Sequence, residues 1–481
     1  MVVSKRGFAL GAIALSFFFV AMPGRARAAT ITVNTLADGS IAGHCTLRDA
    51  IIAADSKTAT NNCIAGTGTD TIRFSVGGTI TLGSALPAIL NVSPGSLTID
   101  GRRKPIKVDG AKSFQVFRVN AGATLYLHKL TIERGTSVHG GGIENSGTLT
   151  VFNSTFSGNS ADNGSGIFNG GALTVTNSTF FHNGSVDGSG GCIENSGTLT
   201  VSNSTFSTNV GSEGGGIFNV GTLTVSNSTF SGNIAIVQSG GGIDNFATAT
   251  VIKSTFSGNS SSNDFGGGIS NVFNAILTVT NSTFSGNSAE NGGGIGNGGT
   301  LTVTNSTFSR NSASSNGGGI LNFGGPLTVT NSTFSNNEGP VGGGGIFNEA
   351  DATLKGTILA AESSGGNCGS INPVADAGYN ISDDNSCGFS GTSVNNSTTL
   401  HLDPKGLQKN GGPTETIALE RDSEAVDFIP VASCTDQSSP IPEPLTTDQR
   451  GAPRPDAREA FCDAGAYEIQ DTPEFVGHPG R

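Results

Sequence analysis

Gly140-Gly141-Gly142-Ile143-Glu144-Asn145, then Gly147-Thr148-Leu149-Thr150-Val151, then Ser154-Thr155-Phe156-Ser157-Gly158-Asn159 make one unit that the chain repeats until about Phe347. Its isoleucine returns at 167, 193, 217, 243, 269, 295, 320 and 346, at spacings of 24, 26, 24, 26, 26, 26, 25 and 26. Its phenylalanine returns at 180, 206, 230, 256, 284, 308 and 334. Self-similarity at such a period is the signature of stacked units, none of which buries its apolar face alone. Helical hairpins fit poorly, because glycine triplets and β-branched Thr, Val and Ile disfavour helix. Leu149-Thr150-Val151 alternates apolar with polar, the two-residue period of a strand. Three short strands separated by glycine- or asparagine-rich corners complete one turn of a solenoid. Each strand then lies parallel to its copies about 4.8 Å away. The expected fold is all-β: a single-stranded right-handed parallel β-helix with terminal caps. Ile143, Leu149, Val151, Phe156 and their equivalents stack inside, and contacts between neighbouring turns stabilise the array.

Asparagines accompany the repeat in three columns that begin at Asn145, Asn153 and Asn159, with Lys253 standing in once in the second. An amide donates to one neighbour while accepting from another, so all three columns are read as structural ladders. The Asn-Ser-Thr triplets also match glycosylation acceptors, for which a laddered Asn is poorly placed.

Residues 1–28 read as a signal peptide, with basic Lys5 and Arg6, apolar Phe8–Val20 and the small residues of Ala26-Arg27-Ala28. Its removal, which takes four cations, changes the formal charge from −12 to −16. Phosphate binding needs a basic stripe, so nucleic acid is not an expected partner, and no later segment reads as a transmembrane helix. Glycine, 73 of 481 residues, has no strict three-residue period, which excludes collagen. Residues 29–70 are expected to form an amino-terminal cap with a short helix over Thr46–Ala54, and residues 71–360 the solenoid. Residues 361–481 are expected to be a loop-rich cap or anchor-associated region shielding the last open edge. Six cysteines pair by proximity, Cys45 with Cys63, Cys368 with Cys387 and Cys434 with Cys462, as suits an exported chain. Cys192, in place of a repeat glycine, is read as a small buried side chain.

Three stretches resemble known families. Cys45-Thr46-Leu47-Arg48-Asp49-Ala50-Ile51 resembles the Cys-Ser-Leu-Arg-Glu-Ala (CSLREA) segment of bacterial exported β-helix proteins. Asn410-Gly411-Gly412-Pro413-Thr414, Asp448-Gln449-Arg450-Gly451 and Cys462-Asp463-Ala464-Gly465-Ala466-Tyr467-Glu468 resemble the carboxy-terminal region of choice-of-anchor surface proteins. Gly141-Gly142-Ile143 and Phe156-Ser157-Gly158-Asn159 are similar to the repeats of polymorphic outer-membrane proteins. Together these resemblances imply a bacterial secreted or cell-surface protein with a pectin-lyase-like superhelix, possible outer-membrane association among its locations. Related rods include adhesins, polysaccharide lyases and glycoside hydrolases. No long terminal barrel follows the repeat, so self-translocation is not expected.

Chemistry on such a rod needs polar side chains projecting from adjacent turns. The weak catalytic candidates are Glu144, Glu194 and Asp244, each following an inward isoleucine on alternate turns, so about 9.6 Å apart along the stack. Carboxyl separations of roughly 5–9.5 Å serve glycosidases, yet no Lys or Arg cluster accompanies the set, and solvated acids on a rod are the simpler reading. Phe168 and Phe218 lie between them as weak binding candidates, poised to stack on sugar faces or to pack under a loop. His139, His182 and His401 lack metal-ligand spacing, so no metal site is expected. No cofactor is evident, and calcium stays open. The function expected is a structural or adhesive surface rod without an identifiable catalytic centre, whose partner is a surface glycan or protein. The alternatives are an extracellular polysaccharide lyase or glycoside hydrolase, and a noncatalytic carbohydrate-binding protein.

Overall fold

The computed structural model describes residues 28–90, 95–184, 188, 190–262, 264–437, 442–456 and 459–470. All but the last residue of the expected signal peptide lie outside them. Three long parallel sheets wind around one core as a right-handed parallel β-helix. Among the described residues the first sheet has 11 strands of the Ile143–Asn145 kind, the second 14 of the Thr148–Phe152 kind and the third 13 of the Thr155–Ser157 kind. A shorter fourth ladder of five strands runs from Val210–Gly211 to Ser312–Ala313. Register is set by like on like: Ile143 pairs with Ile167, Leu149 with Leu173, Val151 with Val175 and Phe156 with Phe180. A one-residue slip would turn every inward side chain out.

Eight phenylalanines from Phe156 to Phe334 form one buried stack, with ring centroids 4.6–4.9 Å apart and planes within 9°. The strand spacing fixes that separation, which suits aromatic pairs. Glycine at the Gly142 position leaves room for the same stack. A Cβ on Gly216 would lie 2.9 Å from the Phe230 ring and 2.5 Å from a backbone oxygen. Cys192 takes this position in its own turn, fully buried, and burial pushes its thiol pKa well up.

Two of the three asparagine columns are ladders. Asn145 donates to Asn169 at 2.7 Å and the chain of amides continues to Asn348. The Asn159 column does the same at 2.9–3.0 Å as far as Asn337. The Asn153 column does not, contrary to the sequence reading. Its members adopt left-handed backbone, with φ between +44° and +53°, and Asn153, Asn177, Asn203 and Asn227 are exposed. That turn swings the next residue inward instead. Ser178 accepts the amide of Ser154 at 3.1 Å and donates to the Thr176 carbonyl, and the pattern recurs at each turn. The second corner is held by serine.

The stack extends past both expected limits. Thr30–Val33 pairs in parallel with Thr69–Phe74, so the first turn begins at Ile31-Thr32-Val33 rather than at residue 71. Helix Leu47–Ser56 packs on these two strands, capped by the Thr46 hydroxyl accepting from the Asp49 amide at 3.1 Å. Cys45 and Cys63 fasten it. At the other end Cys368–Ser370, Ala375–Asp376 and Ile381–Ser382 add a further turn, closed by Cys368–Cys387. The described residues of 402–470, joined by Cys434–Cys462, then lie along the flank instead of only shielding the end. Their contacts reach back four turns. Thr283 donates to the Glu415 carbonyl at 2.6 Å, Thr307 to Gln449 at 2.6 Å, and the Ala466 amide donates to Thr333 at 3.0 Å. Inside this lobe Arg454 and Glu468 form a fully buried ion pair at 3.0 Å.

Candidate functional site

The outer column of the first sheet runs Arg118, Glu144, Phe168, Glu194, Phe218, Asp244 and Ser270, one residue per turn. Strand alternation points these side chains away from the core, but the chain turns back over them. A Cβ on Gly190 would lie 2.7 Å from Glu194 Oε2, and one on Gly240, whose φ is +74°, 2.7 Å from Asp244 Cβ. Glu194 is therefore 9% exposed, Phe218 7% and Asp244 1%. The solvated reading of Glu194 and Asp244 fails because the glycine turn of each unit roofs its own outer column. Phe218 is likewise a packed ring, 5.2 Å from Phe246, and no free sugar platform. Phe168 is half-buried, 4.9 Å from the His139 ring, and Glu144 is half-buried with Arg118 at 3.5 Å.

Burial dominates the electrostatics. It raises the Glu194 pKa from 4.5 to about 7, with the Glu213 carboxylate adding to the shift. It raises Asp244 well above the usual range against a stabilising bond from Ser270, and Glu213 and Asp264 push the same way. Glu213 and Asp264 are raised by their own partial burial. Among the described residues Glu194 Oε2 and Asp244 Oδ1 have no hydrogen-bond donor. A carboxyl group near pKa 7 is suited to moving a proton, but the three candidates stay on alternate turns with phenylalanine between them. Glu194 acts electrostatically with Glu213, a loop residue that the sequence reading passed over. The signal available was its place immediately before the left-handed Gly214.

Elsewhere the fold brings His401, Glu420 and Asp422 together, with one ligand atom of each within 4.8 Å of the others. They lie 19 and 21 residues apart in sequence, too far for a motif. Glu420 and Asp422 are exposed, and His401 already meets Asp422 at 3.1 Å. An open groove of about 380 Å³ runs beside the fourth ladder, lined by Ser261, Ser262, Ser288, Glu290, Ser314 and Ser315. Among the described residues no helix is long and apolar enough to cross a membrane.

One family model agrees with the architecture. The family model described as the right handed beta helix region matches residues 116–284. Among solved structures, the crystal structure of pectate lyase Pel9A is similar at 13% identity and a TM-score of 0.38, covering 92% of this chain and 96% of that one. No curated protein matches the chain.

Proposed function

We propose that this protein is a bacterial secreted or cell-surface rod whose role is structural or adhesive. The observation that carries this reading is the length and uniformity of the array. Parallel strands run from Thr30 to Ser382, locked internally by two amide ladders and the phenylalanine stack, while the outward positions vary. Repeat arrays of this kind offer extended binding surfaces. The resemblance of Cys45–Ile51 to the CSLREA segment, of residues 410–468 to choice-of-anchor proteins and of the repeats to polymorphic outer-membrane proteins supports an exported location. Attachment of the purified chain to surfaces coated with glycans or matrix proteins tests the reading, and failure to attach to any of them overturns it.

A second reading is carbohydrate chemistry by a lyase or hydrolase. The buried Glu194 favours it, since glycosidases use a carboxylic acid of raised pKa beside a second carboxylate, and the Glu213 carboxylate acts on it electrostatically. Release of new reducing ends across a calcium-supplemented polysaccharide panel, lost in Glu194→Gln, would replace the rod reading with this one. Noncatalytic carbohydrate binding is the third reading, and attachment to the glycan-coated surfaces alone, with no release of reducing ends, would favour it.

A further inference from the structure

The second asparagine column makes no ladder, and that frees a motif. Asn153-Ser154-Thr155, Asn177-Ser178-Thr179, Asn203-Ser204-Thr205 and Asn227-Ser228-Thr229 stand on four successive turns. Each is an Asn-x-Ser/Thr triplet of the kind that accepts sugar on the Asn side chain at a protein surface. In each the Asn is exposed and its backbone left-handed, with φ between +47° and +51°. The Ser is turned inward at 2–3% exposure, and the Thr returns to the outer face, half-buried. The amide nitrogen and the hydroxyl two residues on therefore share one accessible edge.

The corner does not itself demand this triplet. Lys129, Lys253 and Gly356 take the same left-handed position in other turns, at φ between +50° and +57°. The arrangement also recurs outside the regular repeat, after the last parallel strand. There Asn396 is exposed at a φ of +54°, Ser397 is buried and Thr398 is exposed. Where the lobe lies on the rod, the same triplet is used up. Asn305 and Asn331 are buried, Asn305 Nδ2 donates to the Thr447 carbonyl at 2.8 Å, and Thr307 and Thr333 bond to the lobe. Two further matches, Asn259-Ser260-Ser261 and Asn380-Ile381-Ser382, have buried Asn side chains that donate to Asn287 at 2.9 Å and to the Leu354 carbonyl at 2.8 Å. The fold thus sorts chemically equivalent triplets into open and closed ones.

We infer that Asn153, Asn177, Asn203, Asn227 and Asn396 are attachment sites for N-linked sugar, added to the folded chain by a transferase. The co-reactant is a sugar activated at its anomeric carbon by a phosphate ester. The Asn Nδ2 attacks that carbon. The C–N bond forms as the C–O bond to phosphate breaks, the phosphate leaves with the bonding pair, and a base of the transferase takes one amide proton. The Thr hydroxyl, which both donates and accepts, is the group by which the transferase holds the triplet. The lobe covers the later turns of this flank, and the sugars coat the earlier turns that it leaves bare. This assignment goes beyond the structural and adhesive reading and does not depend on what the rod binds.

Peptide mass spectrometry of the full mature chain, isolated from the cells that produce it, tests the assignment. Sugar is expected on the five open Asn residues, with Asn259, Asn305, Asn331 and Asn380 bare. A preassembled oligosaccharide identifies a lipid-linked donor and a single monosaccharide a nucleotide-linked one, and either upholds the assignment. Thr179→Ala, made in the same cells, should abolish sugar at Asn177 and leave it at Asn153 and Asn203. Thr179→Ser should retain it at all three. Circular dichroism unchanged in both variants separates loss of the acceptor from loss of the fold. Bare side chains at all five open positions overturn the inference. Equal occupancy of Asn305 and Asn331 overturns it as well, because the fold then does not select the acceptors.

Discussion

Asn209 and Asn203 are six residues apart and belong to two columns that look alike in the sequence, yet they do opposite things. Asn209 donates to Asn233 at 2.9 Å and to the Phe180 carbonyl at 3.1 Å, and it accepts from both the amide and the side chain of Asn183. Asn209→Ala leaves several buried groups unpaired, at about 1–3 kcal/mol each, and urea denaturation should register a loss above about 2 kcal/mol. Asn203 is exposed at a φ of +49°, so Asn203→Gly should stay within about 0.5 kcal/mol. Glu194 supplies a pH test. Its folded pKa, about 7, lies above its ordinary 4.5. Across that window the folded chain keeps a proton that the unfolded chain has lost, so stability falls as pH rises. Glu194→Gln should flatten the fall, read as the difference in denaturation midpoint between the two ends of the window. Column membership was legible in the sequence because every ladder residue recurs at the repeat period. The direction of each side chain was not, since it depends on whether the corner residue is left-handed, and Asn serves equally at a left-handed turn and inside a ladder.

The lobe at residues 402–470 is the element least readable from sequence. Its contacts fall on Thr283, Thr307 and Thr333, from the same Asn-Ser-Thr-Phe-Ser string that stays uncovered at Thr205 and Thr229. Nothing local distinguishes a covered turn from a free one. By contrast helix Leu47–Ser56 was legible, because Thr46 and Asp49 stand at capping spacing ahead of an apolar periodic run. The lobe is pinned by Arg454 and Glu468, both side chains fully buried. Glu468→Gln removes the carboxylate paired with the buried guanidinium and should destabilise the lobe by about 3–5 kcal/mol. Limited proteolysis between residues 383 and 401 should accelerate accordingly. Replacing both partners, Arg454→Met with Glu468→Leu, should recover most of that loss, because the cost lies in the unpaired charge.

At the scale of the whole molecule, stability is a sum over nearest neighbours, and the repeat can be shortened only in whole turns. Excising Ile193–Gly242 removes two turns and joins Cys192 to Ile243, which restores an identical neighbour on each side. That chain should keep its β circular dichroism spectrum and lose only part of its thermal stability. Excising Ile193–Asn203 joins Cys192 to Ser204, sets every later strand against the wrong partner and should abolish folding. The strand hydrogen bonds also have a mechanical meaning. They run along the rod axis, turn to turn, so tension applied between its ends loads one ladder of bonds at a time. Such a rod yields by peeling. Each released turn of roughly 25 residues pays out about 85 Å of chain, and single-molecule extension should climb in steps of that size at nearly constant force. A tether built this way absorbs a sudden pull by lengthening gradually, and it shortens again as the turns rewind.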